Sequence, residues 1–130
     1  MRAGVDGRGW FYLKVMIIAF ADDQTVSVFP DLASVQGECE AIDVEEGAYR
    51  FFDELGRRLV PRFIAPVRRS GSLFGISSVG GGNFELDLDP QDQASFKTSL
   101  ANAVAIEPNR WFATLEELGR HVAENRKSNN

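Results

Sequence analysis

Hydrophobic positions change their spacing along the chain, and each spacing predicts a different element. The segment WFYLKVMIIAFA, residues 10–21, is almost continuously apolar, and a short polar turn separates it from TVSVF, residues 25–29. Aromatic and β-branched residues of this kind are typical of strands, so we expect a hairpin whose first strand is covered on both faces. Over residues 31–42 the apolar side chains recur every three or four positions, which predicts a helix capped by Asp31.

Two further hairpins are predicted in the middle of the chain. An aromatic strand, AYRFF, leads into the turn DELG, where Gly56 supplies the positive φ that closes a short loop. The returning strand contains Pro61 and Pro66, which cannot donate to a sheet, so we expect this strand to be bulged or at an edge. The next hairpin joins SLFGIS to NFELDLD through a glycine-rich turn, SVGGGN. In NFELDLD, apolar and acidic residues alternate strictly, which is the clearest strand pattern in the chain.

Two helices are predicted at the C-terminal end. The sequence DPQD has the residues of a helix start, and the apolar stripe that follows it ends before Pro108. The last helix begins at Thr114, which can form a capping box with Glu117. Residues 124–130 are polar and lack apolar periodicity, so we expect them to fray.

The resulting order of elements is ββαββββαα, in which hairpins predominate over strand-helix-strand units. This order predicts an α+β fold with a mostly antiparallel sheet built from hairpins and with helices packed mainly on one face. A length of 130 residues suits a single domain, residues 1–130, and 44% hydrophobic with 25% charged residues is ordinary globular usage.

Cysteine and histidine each occur once, as Cys39 and His121. A lone cysteine forms no intrachain disulfide, and one of each residue cannot build the usual zinc site, so we predict no metal and no cofactor. Lys14 interrupts the N-terminal apolar run, which argues against a secretory leader and against a membrane span. We therefore expect a cytoplasmic protein of bacterial type, and leave open whether Met16 is the native start.

Charge is distributed unevenly along a chain whose net charge is −5. Residues 31–56 contain eight acids and one arginine, residues 57–72 contain five arginines and no acid, and residues 73–95 contain four acids and no base. Affinity for nucleic acid depends on many cations that release counterions from the phosphate backbone. An acidic chain with one short basic segment is poorly suited to that task, so nucleic acid is not among the expected partners.

Motifs for catalysis are incomplete. GISSVG, residues 75–80, has valine where a nucleophile elbow needs glycine, and no helix is predicted after it. DLDPQD lacks the glycine and glutamate of a calcium loop, and GGGN precedes a strand rather than the helix of a dinucleotide site. We expect His121 to pair with Glu117, one helical turn earlier. These considerations predict no catalytic residue and favour a binding protein over an enzyme.

Candidate binding residues belong to three groups. Several guanidinium groups on one strand can bind phosphate or carboxylate, unless they pair with acids of residues 38–54. Two acidic side chains belong to the segment 85–92. A tryptophan beside an arginine is either a core residue or, when partly exposed, an interface anchor. The set comprises Arg62, Arg68, Arg69, Trp111, Asp87 and Asp89.

Two functions of different classes follow from the sequence. We favour a small, soluble, non-enzymatic protein that masks a cationic protein partner, as an antidote or immunity protein does. This hypothesis predicts that the acids of residues 38–54 and 85–92 cluster on one exposed face and that binding is sensitive to salt. The alternative is a small-molecule anion site, or a weakly defined enzyme, on the basic strand from Arg57 to Arg69. That alternative requires a pocket of at least ~300 Å³ into which Arg62 or Arg68 points.

Overall fold

A computed structural model of the chain describes residues 16–69, 79–89, 91 and 95–128, with side chains of 65–69 and 79–82 left out of the description. The described residues form six strands and four helices. The strands are β1 (Ile17–Ala21), β2 (Thr25–Phe29), β3 (Tyr49–Phe52), β4 (Arg58–Arg69), β5 (Val79–Leu88) and β6 (Ala105–Ile106). The helices are α1 (Leu32–Glu38), α2 (Ala41–Glu45), α3 (Ser95–Asn102) and α4 (Leu115–Ser128).

The strands form one mixed sheet in the order β5-β4-β3-β1-β2-β6. Every neighbouring pair is antiparallel except β2 and β6, which are parallel. The predicted α+β class and mostly antiparallel sheet are therefore confirmed. No described helix has the length and apolarity needed to cross a bilayer.

Central strands present side chains to two separate cores. Successive residues of a strand point to opposite faces of the sheet. In β1, Ile17 and Ala19 face a core closed by α1 and α2, whereas Ile18 and Phe20 face a core closed by α3 and α4. All four residues are at most 2% exposed, as expected for a strand covered on both faces. The helices consequently lie on both faces of the sheet, two on each, rather than mainly on one.

The helix predicted over residues 31–42 is divided into two. Asp31 caps α1 as expected, since its Oδ1 accepts a hydrogen bond from the backbone N of Ser34 at 2.9 Å. After Glu38 the chain becomes extended at Cys39, and α2 begins at Ala41. The break follows Gly37, a residue that lowers helix stability by about 1 kcal/mol relative to alanine.

Strand β4 has neighbours on both sides only at its start. β3 pairs with Arg58 and Leu59, whereas β5 pairs with β4 along its whole length. Continuation of the β3 register would place Pro61 opposite Tyr49, where the ladder needs an N–H group that proline lacks. A bulge follows between Phe63 and the next paired residue of β4. Within the described residues, the proline-containing part of β4 thus has β5 as its single neighbour, in agreement with a bulged or edge strand.

Two segments differ from the predicted elements. Residues 79–83, expected in the turn SVGGGN, form the first half of β5 and pair with β4. The strand predicted at SLFGIS falls on residues 72–77, outside the described part of the chain. The helix expected to reach Pro108 ends at Asn102 and is followed by β6, where the backbone N of Glu107 donates to the oxygen of Val26 at 2.7 Å.

The start of α4 agrees with the sequence. Thr114 Oγ1 accepts from the backbone N of Glu117 at 3.1 Å, which is the first half of a capping box. The Glu117 carboxylate accepts from the backbone N of Ala113 at 2.7 Å, one residue before the expected donor. Both bonds satisfy N–H groups that have no partner inside the helix.

Candidate functional site

Arg62 is held by two carboxylates of the adjacent strand. Its Nη2 lies 2.7 Å from Glu85 Oε1, and its Nε lies 2.7 Å from Asp87 Oδ2. The register places Arg62 directly opposite Glu85, and Asp87 is on the same face two residues further. The hydrogen bond and the charge of Asp87 raise the pKa of Arg62. The structure therefore brings two predicted site residues together, although as partners of each other rather than around a ligand.

The remaining residues of the β4–β5 group are less informative. Arg68 and Arg69 lie near the end of β4, opposite Gly80 and Val79, and their side chains are outside the description. Asp89 ends the β5 ladder, and its Oδ1 accepts from the backbone N of residue 91 at 3.0 Å. An anion site at the basic strand stays a prediction, and it would require a ligand that displaces the carboxylates now bound to Arg62.

Trp111 and Phe112 lie in different environments. Phe112 is 7% exposed in the core beneath α4, whereas Trp111 is 36% exposed. Asn109 Oδ1 accepts from the backbone N of both residues, at 2.9 Å and 2.7 Å, which fixes the course of this loop. The Arg110 guanidinium carbon lies 5.3 Å from the centroid of the Trp111 ring, within cation-π range. Phe112 is thus the core residue of the pair, and Trp111 has the exposure and the arginine neighbour expected of an interface anchor.

His121 contacts Glu54 rather than Glu117. Its Nε2 lies 2.9 Å from Glu54 Oε2 and 3.1 Å from Asn125 Nδ2. Glu54 belongs to the turn between β3 and β4, so this contact attaches that turn to α4 across 67 residues of sequence. The predicted pair of His121 and Glu117 is wrong because Glu117 is engaged at the start of its own helix.

Carboxylates at the end of α1 and the start of α2 form what we call the acidic surface, defined by the exposed Glu38 and Glu40 and the half-buried Asp43. No lysine or arginine occurs between residues 31 and 49. Burial raises the pKa of Cys39 to about 11, and the charges of Glu38 and Asp43 act in the same direction. Burial also raises the pKa of Tyr49, with a contribution from the charge of Asp43. Glu38 and Asp43 therefore lie near Cys39, and Asp43 also lies near Tyr49.

The predicted single acidic face is divided by the sheet. Phe84 and Leu86 face the core under α1 and α2, so Glu85 and Asp87 project from the opposite side. Glu85 and Asp87 are therefore separate from the acidic surface, contrary to the expected cluster, and Asp92 lies outside the described residues. The alternation of apolar and acidic residues in β5 predicts that the two kinds of side chain project from opposite faces of the sheet. The sequence does not show which of these faces α1 covers.

A pocket of about 240 Å³ opens next to the acidic surface. The end of β1, the turn after it, and the start of β3 with the segment before it form the walls, in which Asp22, Gln24, Tyr49 and Arg50 are the polar residues. Arg62 does not line it. Sequence reasoning missed this pocket because its walls come from three segments that only the antiparallel pairing of β1 with β3 brings together.

Comparisons with known proteins add no further constraint. No protein-family model matches the chain, and searches of curated proteins and of solved structures gave no significant similarity. Within the described ranges, no group of three His, Cys, Asp or Glu side chains is arranged to hold a metal ion. The functional argument therefore depends on the charges and contacts given above.

Cys39 is expected to react slowly with alkylating reagents. A thiol with a pKa of about 11 carries about 100-fold less thiolate at pH 8 than one at 9.0, and the side chain is only 3% exposed. Because the pKa is higher in the folded chain, the associated stability is complete below pH 9 and is lost as the pH rises toward 11. Iodoacetamide labelling at pH 8 should be at least about 100-fold slower in the native protein than in urea. A ratio below about 10 would show that the thiol is accessible.

Proposed function

We propose that the protein binds a cationic protein partner through the acidic surface and does so without catalysis, in the manner of an antidote or immunity protein. The observation that carries the proposal is the difference between this surface and the acids that form ion pairs with arginine. Asp53 is bound to Arg57, and Glu85 and Asp87 are bound to Arg62. The acids of the acidic surface lie instead in a segment of 19 residues, 31–49, that contains no basic residue.

Like charges held close together on a helical surface repel one another, and a cationic partner relieves this repulsion. The range of such interactions is about 8 Å at physiological ionic strength, so a partner must bring its cations close to the surface. Complementary charge chiefly accelerates association and selects the partner. Binding of this kind weakens as salt is added, which gives the proposal a measurable signature.

Trp111 offers a different contact, on the side of the molecule where α4 lies. Partly exposed tryptophans next to arginine are over-represented among residues that dominate binding energy. Phe112, its neighbour, packs in the core of α3 and α4, whereas the acidic surface covers the other core. A partner of the acidic surface therefore should not depend on Trp111, and the two surfaces can be tested separately.

The test is a comparison of variants in affinity capture from a lysate of the source organism. Wild-type protein should retain a basic protein that is lost when Glu38→Lys and Glu40→Lys are combined. The same charge change on exposed residues of α4, Glu116→Lys with Glu124→Lys, should retain it. Raising the salt from about 0.05 M to about 0.5 M should release the partner, as expected for charge-driven association.

The binding step is then measured with the purified partner. We expect the Glu38→Lys and Glu40→Lys pair to weaken the affinity at least about tenfold, mostly through slower association. Capture that survives this double variant, or that is lost equally with the α4 variant, would contradict the proposal. Capture that depends on Trp111→Ala alone would assign the interface to the α4 side.

A further inference from the structure

Gln24 adopts a left-handed backbone conformation, with φ of 70°, and no other described non-glycine residue has a positive φ. It ends the loop between β1 and β2, and its backbone N donates to Ala21 O at 3.0 Å. Three-residue hairpin loops commonly place glycine or asparagine in this conformation. A residue with a Cβ is less stable there than glycine, so glutamine at this position suggests that its side chain has a use.

Gln24 lines the 240 Å³ pocket together with Asp22, Tyr49 and Arg50. Asp22 is close enough to Tyr49 for its charge to contribute to the raised pKa of the phenol. Both Asp22 and Arg50 are exposed, and no ion pair joins either of them to another described residue. Among the polar residues that line the pocket are thus a carboxylate residue, a guanidinium residue and an amide residue, Asp22, Arg50 and Gln24.

These groups restrict the chemistry of a ligand. A simple anion is disfavoured by Asp22, and a simple cation is disfavoured by Arg50. A molecule that carries both charges can satisfy both, and the guanidinium group can bind a carboxylate through two parallel hydrogen bonds. The volume is below the ~300 to 1,000 Å³ of typical ligand sites, which limits the ligand to a small molecule.

We propose that this pocket binds a small zwitterion with the chemistry of a free α-amino acid. The ammonium group lies against Asp22, the carboxylate lies against Arg50, and the Gln24 amide donates or accepts a further hydrogen bond. Gly47 and Ala48 supply backbone walls, and the positive φ of Gly47, 83°, allows the chain to turn around the pocket. None of the polar residues of the pocket belongs to the acidic surface, so variants of Glu38 and Glu40 test the protein interface and variants of Asp22 and Arg50 test the pocket.

The test is a titration of the purified protein with the twenty common amino acids, followed by calorimetry and by NMR shifts of the Gln24 amide. We expect at least one amino acid to bind with a Kd of about 1 mM or tighter. Its amine and its deaminated acid, which each lack one charge, should bind at least about tenfold more weakly. No binding at about 10 mM, or equal binding of the three compounds, would overturn the proposal.

Variants assign the binding to this pocket. Asp22→Asn and Arg50→Gln should each weaken the affinity at least about tenfold, while Arg110→Gln, a change of the same type at a distant position, should not. Gln24→Gly should weaken binding and at the same time raise the melting temperature, because glycine removes the unfavourable φ. Unchanged affinity in Asp22→Asn and Arg50→Gln would refute the assignment even if an amino acid binds elsewhere.

Discussion

Replacing Gly56 by alanine is expected to lower the free energy of unfolding by about 3 kcal/mol. Gly56 has a φ of 76° in the turn between β3 and β4, where an L side chain is strained by about 1 kcal/mol. An added Cβ would lie 3.0 Å from Val122 Cγ1 and 3.3 Å from Phe96 Cγ. Both neighbours are buried in the core of α3 and α4, so relief requires movement of packed side chains.

Two other glycines provide matched controls for this prediction. Gly47 has a φ of 83° but open space around its Cβ position, so Gly47→Ala should show the conformational strain alone, about 1 kcal/mol. Gly37 lies in α1 with neither constraint, and Gly37→Ala should stabilise the protein by about 0.5 to 1 kcal/mol. Urea denaturation of the three variants gives the comparison. A loss for Gly56→Ala no larger than that for Gly47→Ala would contradict the close packing of this turn on α4.

Gly56 illustrates what the sequence was able to predict about the fold. Its neighbours in sequence indicated a tight turn with a positive φ, and the structure has that turn. Local signals of the same kind correctly placed the Asp31 cap, the Thr114 cap and the paired strands β1 and β2. Packing of the turn against Val122 was not predictable, because it depends on a helix that begins 59 residues later, at Leu115.

Pairing between strands that are distant in sequence accounts for most of the differences between the predicted and the observed structure. The sequence predicts a helix through the residues of β6 because apolar residues near Val104 fit a helical stripe, whereas hydrogen bonds to β2 hold this segment as a strand. The pairing of Arg62 with Glu85 depends on the register between β4 and β5, which alternation alone does not set. The sequence identifies candidate residues, but the contacts that these residues make depend on how the strands of the sheet pair.

Removing the carboxylate of Asp53 is expected to have the other large effect. Asp53 is 1% exposed, and its carboxylate accepts from the backbone N of Leu55 and of Arg57 at 2.9 Å and from Arg57 Nε at 2.7 Å. Asp53→Ala leaves these two backbone N–H groups without an acceptor in a turn that packs on α4. The loss should be about 3 kcal/mol, because each buried donor left unsatisfied is unfavourable by about 1 to 3 kcal/mol.

Further substitutions separate the contribution of the backbone hydrogen bonds from that of the ion pair with Arg57. Asparagine retains one acceptor oxygen in nearly the same shape, so Asp53→Asn should lower the free energy of unfolding by only about 1 to 2 kcal/mol. Arg62→Gln removes two exposed ion pairs of similar length, and should lower the free energy of unfolding by less than about 1 kcal/mol. The Arg57 side chain is 34% exposed and can be rehydrated, so most of the Asp53→Ala effect should come from the backbone donors. Arg57→Gln should therefore be milder than Asp53→Ala in urea denaturation, and an equal loss in both would show that the ion pair dominates instead.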